Sequence, residues 1–107
     1  MTKERDIETA IIQYLNILPK CFAWKVPDQR AYRNGVYRKD ALIPAGQPDV
    51  TACINGQIIF IEVKTPSGRL SANQTIFHKR LKSCGGKVFV VFSLQDIKNI
   101  VSSLLSE

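Results

Sequence analysis

Asp49, Glu62 and Lys64 are the residues of this chain whose types and spacing suit catalysis. Asp49 follows Pro48, and Glu62-Val63-Lys64 begins thirteen positions after Asp49. An Asp at one strand and a Glu-x-Lys on the next would place two carboxylates and an ammonium in one small volume. Carboxylate and water oxygens suit magnesium, which takes octahedral oxygen ligands. Metal-assisted hydrolysis needs a Lewis acid on the scissile phosphate and a nucleophile made from water. Side chains at i and i+2 of a strand share a face, so Glu62 and Lys64 point the same way while Val63 points into the core. Asp49 and Glu62 can then bind the metal directly, with the Val63 backbone carbonyl joining them. Lys64 can orient the attacking water or steady the charge that develops on the phosphate.

Two more residues are candidates for the same site. Glu8 lies on the polar face of the first expected helix and could supply a third carboxylate. Gln74 lies in the first turn of a helix that begins just past the C-terminal end of the Glu62 strand. Open α/β sheets place their ligands there, and an amide at that point could hold a water or a phosphate.

The elements that must position these residues follow from apolar periodicity and turn signals. Ile7, Ile11, Leu15 and Leu18, with Ile12 beside them, predict a helix over 4–18, capped by Thr2 and ended by Pro19. Residues 21–26 read as a strand with Phe22 and Trp24 on one face, and Trp24 is expected in the core. A polar stretch over 27–47 follows, part of which pairs as a small hairpin about Asn34-Gly35. Strands over 49–54 and 57–63 are joined by Asn55-Gly56, the clearest hairpin signal in the chain. Ser71 caps a helix to about Ser83, with Ile76 and Leu81 among its inward residues. A strand over 87–92 and a last helix through Ile97, Ile100, Val101 and Leu104 complete the order α-β-β-β-α-β-α. The 57–64 strand, the Ser71 helix and the 87–92 strand form a right-handed parallel crossover.

Length and composition limit the classes open to the chain. Its 107 residues predict one domain spanning 1–107, and a 45% hydrophobic content supports one packed core. No secretory leader and no run near the ~20 apolar residues of a membrane span is visible, so a cytoplasmic protein is expected, in a bacterial or phage-infected cell. Cys21, Cys53 and Cys84 form no C-x-x-C pair, and with one His they argue against zinc. Net charge is +6, and four of those charges fall between Lys20 and Asp40. A basic rim beside an acidic centre suits an enzyme acting on a polyanion.

These residues resemble the PD-(D/E)xK nuclease superfamily. Gly46-Gln47-Pro48-Asp49, Glu62-Val63-Lys64 and Gly68-Arg69-Leu70-Ser71-Ala72-Asn73-Gln74 resemble, more narrowly, the VRR-NUC family of virus-type replication-repair nucleases. The resemblance implies a restriction-endonuclease-like, Holliday junction resolvase-like α/β fold, with a mixed central sheet flanked by helices. It implies Glu8, Asp49 and Glu62 as metal ligands, Lys64 as the catalytic lysine and Gln74 as a supporting residue. It further implies a magnesium- or manganese-dependent DNA endonuclease acting on branched structures, in small stand-alone members as a homodimer.

Taken singly, Asp49 reads as a surface residue beside a turn, and Glu62 as a partner for Lys64. In series with Lys64 and Gln74 they read as a catalytic set. Arg30, Arg33, Arg38 and Lys39, interleaved with Tyr32 and Tyr37, read as a phosphate clamp with rings to stack on an unpaired base. Arg69 and Lys79 are further phosphate contacts within reach. His78 reads as a surface helix residue without a catalytic role. Leu104 and Leu105 fit either internal packing or a dimer face. The competing functions are a non-catalytic nucleic-acid-binding module on the same fold and a sequence-specific restriction or nicking enzyme.

Overall fold

A computed structural model describes residues 3–27, 42 and 44–106, together with the strand backbone of 30–33 and 36–39. The elements run α1 (Glu4–Ile17), β1 (Cys21–Lys25), β2 (Arg30–Arg33), β3 (Val36–Lys39), β4 (Val50–Ile54), β5 (Gln57–Val63), α2 (Ala72–Ser83), β6 (Lys87–Val91) and α3 (Leu94–Leu105). β1, β4, β5 and β6 form one sheet in that spatial order, and β2 pairs with β3 in a separate two-stranded sheet. The main elements keep the expected order. β2 and β3 extend it with the small hairpin signalled by Asn34-Gly35, two residues that lie outside the described ones.

α1 forms because Ile7, Ile11 and Leu15 recur every fourth residue and all three are buried. Thr2, the expected cap, lies outside the described residues. Lys3 occupies the cap position and makes no side-chain cap bond. α1 and α3 pack on one sheet face, where Ile59, Ile61 and Val63 of β5 meet Ile11, Leu15, Ile97 and Val101. Each buried branched side chain there contributes about 1.5–3 kcal/mol.

α2 contacts the β6 side of the sheet and sets its Gln74 and His78 against Glu62. By alternation, Glu62 faces away from Ile61 and Val63. Ile58, at the start of β5, is half exposed. Trp24, expected in the core, is 40% exposed and packs beside Phe22 with ring centroids 5.3 Å apart. Strand alternation turns Ala23 inward in its place. On α2 the expected inward Ile76 is also largely exposed.

The β4–β5 hairpin turns through Asn55 and Gly56, at φ 51° and 80°. Two successive positive φ angles define the tight turn whose twist suits a two-residue hairpin, and Asn-Gly tolerates them best. The turn fixes the register, which pairs Val50 with Ile61 and Ile54 with Gln57. Continued by one residue, that register sets Asp49 opposite Glu62.

Gly46 leads into Asp49 at φ 91°. A Cβ there would lie 2.3 Å from the Asn73 carbonyl oxygen and 2.8 Å from the Gln74 nitrogen. The loop that carries Asp49 therefore presses on the first turn of α2, and only glycine permits both the angle and the approach. Gly46→Ala is expected to destabilise the protein by more than about 1 kcal/mol in urea unfolding.

Candidate active site

β5 ends the sheet's central hairpin and delivers Glu62 with no exposed surface. Four neighbours define its surroundings. Asp49 stands opposite, with its Oδ2 accepting the Val63 N–H at 2.7 Å. This bond takes up a strand amide and fixes the first carboxylate to the strand that carries the second. Gln74 Nε2 lies 3.4 Å from Glu62 Oε2. His78 Nε2 lies 3.1 Å from Glu62 Oε1. Lys64, 9% exposed, acts electrostatically on Glu62 and donates its backbone N–H to Val91.

Gln74 reaches Glu62 because α2 starts where it does. Ser71 accepts the Gln74 N–H at 3.2 Å, and Gln74 Oε1 accepts the Ser71 N–H at 2.9 Å. This reciprocal cap satisfies two amides of the helix start. One side chain thus uses its oxygen for the cap and its NH2 for Glu62. These two protein contacts use the oxygen and one N–H of the amide, and its second N–H remains a donor for the water or phosphate expected there.

Burial pushes the Glu62 carboxyl up to about 9, and the Asp49 carboxyl beside it adds to the rise. Lys64 opposes the rise without overcoming it, and Glu4 adds slightly to it. Burial also lowers His78, with Lys82 and Lys64 acting in the same direction. The two directions agree: near neutral pH, without a cation, His78 and Glu62 form a neutral hydrogen-bonded pair rather than an ion pair. His78 is only 4% exposed, so the surface assignment is corrected. The signal for it was its place four residues after Gln74, which puts both on one helix face.

The donor set fits a hard divalent cation. Two carboxylates forced together in a dry pocket cannot both ionise cheaply unless positive charge joins them. Among the described residues no three His, Cys, Asp or Glu side chains are grouped as a complete metal site. Magnesium does not require one, since it takes one or two carboxylates and keeps several waters.

The other expected residues are less concentrated. Glu8 is buried rather than on a polar face, because it shares the α1 stripe with Ile11. Its Oε1 lies 3.2 Å from Lys25 Nζ, and it is not grouped with Asp49 and Glu62. Val63 is fully buried with its side chain in the core, as expected. Arg69 and Lys79 are exposed. The side chains of Arg30, Arg33, Arg38 and Lys39, and of Tyr32 and Tyr37, lie outside the described residues. Leu104 packs in the core, whereas Leu105 is 38% exposed. A cleft of about 1220 Å³ lies between the start of α1, Lys25, Thr65 and Ser93; Glu8 lines it, whereas Asp49, Glu62 and Lys64 do not.

Comparison with known proteins gives a consistent picture. A family model described as the VRR-NUC domain matches residues 38–94. A solved structure described as a VRR_NUC domain superposes with a TM-score of 0.68 at 23% identity, covering 95% of this chain and 97% of that one. No curated protein matches the chain significantly.

The raised Glu62 carboxyl has a consequence for stability. The folded chain holds that proton up to about pH 9, whereas an unfolded chain releases it near 4.5. The cost of burying Glu62 is therefore absent in acid and grows as pH climbs through that window. Metal-free Glu62→Gln is expected to melt more than about 4 °C above the wild type near pH 8, and the two are expected to converge near pH 4. Thermal melts in EDTA across that range measure it.

Proposed function

Because the chain belongs to the VRR-NUC family of nuclease domains, we propose that it is a metal-dependent DNA endonuclease that hydrolyses phosphodiester bonds in branched DNA. The observation that carries this reading is the buried Glu62 carboxyl set against Asp49, with Lys64 beside it. Asp49 and Glu62 would hold magnesium or manganese, with the Val63 backbone carbonyl as the further ligand that the sequence suggests. Glu8, whose Oε1 pairs with Lys25, is the third carboxylate that the family resemblance suggests. A divalent ion held there supplies Lewis-acid polarisation of the scissile phosphate.

The chain's own groups do the rest. Lys64 lies two residues after Glu62, just past the end of β5, and it orients the attacking water or balances charge on the phosphate. Its low exposure strengthens that interaction, because a charge shielded from water acts further. Gln74 holds Glu62 in place. Lys3, Arg5 and Lys25 line the cleft beside the site and offer positive charge to a phosphate backbone. Exposed Arg69 is a further candidate for phosphate contact, as are Arg30, Arg33, Arg38 and Lys39 on the grounds of their sequence alone.

We further propose a Holliday junction resolvase-like homodimer, since resolving a four-way junction takes two cuts and each copy carries one site. Phe22, Trp24 and Ile58 leave an apolar strip on the sheet face that a second copy would bury. No helix of the described residues is long and apolar enough to cross a membrane.

Lys64→Ala is expected to lower cleavage by about 10²–10³-fold while leaving DNA affinity intact. Labelled four-way junction, flap, single-stranded and linear duplex DNA, with magnesium or EDTA, provide the assay. Junction cutting above all other substrates supports the resolvase. Magnesium-dependent cutting of linear duplex at one sequence would establish a restriction enzyme instead, and binding without cleavage a non-catalytic module. Light scattering at micromolar concentration is expected to give twice the chain mass, reduced to one by Trp24→Glu. A monomeric mass that junction DNA does not change would rule out the dimer.

A further inference from the structure

Glu62 is gripped from one helix by two side chains, one on each oxygen. Gln74 addresses Oε2 and His78 addresses Oε1. They stand four residues apart on α2, so both project from one face of the helix toward the same carboxylate. Gln74 is tied at its other end by the Ser71 cap. His78 is 4% exposed and sits in the second turn of α2, where the helix backbone is fully bonded.

A carboxylate has one soft torsion at its end, and rotation about it exchanges which oxygen faces a cation. Two donors fixed on a rigid helix remove that freedom. Each oxygen retains a second lone pair for other partners. The arrangement therefore orients the group without consuming it.

We propose that His78 is a positioning residue for metal binding: its Nε2–H holds Glu62 Oε1 so that the carboxylate meets the cation in one fixed orientation. The inference rests on the metal-dependent reading above. His78 touches neither the substrate nor the cation and acts only through Glu62. Partners of metal-ligating carboxylates commonly contribute ten- to a hundredfold to metal affinity.

The test is manganese affinity by calorimetry, without DNA, for wild type, His78→Leu and His78→Gln. Leucine keeps much of the volume and removes the donor, whereas glutamine returns an N–H at a similar reach. His78→Leu is expected to weaken manganese binding about 10–100-fold, and His78→Gln to recover most of it. Affinity for DNA in EDTA is expected to stay the same in all three. Equal manganese affinity in wild type and His78→Leu overturns the proposal, as does a glutamine variant as defective as leucine. Should His78→Leu fail to fold, nitrogen NMR of the wild-type imidazole with magnesium decides. A proton on Nε2 supports the proposal, and a bare Nε2 overturns it. A wild type that binds neither ion overturns the metal-dependent reading itself, and this inference with it.

Discussion

A carboxylic acid with no access to water is the constraint around which the rest of this molecule is arranged. Burying a carboxylate uncompensated is among the costliest things a small domain can do. Glu62 avoids the full cost by keeping its proton and by drawing donors from α2. The position on β5 makes this possible. Its neighbours Ile61 and Val63 bury on the opposite face and hold the strand in place with ordinary apolar packing. Under the metal-dependent reading, the same crowding that raises the Glu62 carboxyl would become an attraction for a dication, and stability given up by the fold would be converted into affinity, a common trade between fold and function.

Gln74 shows how closely structure and chemistry are joined here. A glutamate would complete the Ser71 cap equally well. It would also bring a third carboxyl group to Glu62 and Asp49 and, ionised, would offer no donor to Oε2. Glutamine alone among the usual capping partners accepts at one end and donates at the other. The start of α2 is thus fixed by the same side chain that steadies the site, and Gly46 presses the Asp49 loop onto that turn. Cap, loop and carboxylates form one continuous set of contacts.

The hairpin and the Asp49, Glu62, Lys64 series were legible in the chain because Asn55-Gly56 is a strong local signal and the rest is strand arithmetic. The Ser71 cap was legible for the same local reason. Three side chains were not. His78 had one local sign, its place four residues after Gln74, but α2 carries only a weak apolar stripe and Ile76 points outward, so nothing in the chain marked that helix face as inward. Its role appears only when the helix is laid against β5. Trp24 was assigned to the core on size alone, but α2 covers the β6 side of its sheet face and leaves the β1 side bare. Glu8 was assigned to a polar face, although its spacing from Ile11 and Leu15 puts it at the edge of the buried stripe. Each of these three depends on which face a neighbouring element covers, which is a tertiary fact.

The bond from Asp49 Oδ2 to the Val63 amide ties strand alignment to chemistry. A slip of one residue between β4 and β5 would carry Asp49 about 3.3 Å along the strand and turn its neighbours to the wrong face. A misaligned chain would therefore lose its paired carboxylates along with its core. Partly folded copies would in this sense be self-silencing: the paired carboxylates on which the proposed hydrolysis depends come together only when the hairpin has closed in the right frame.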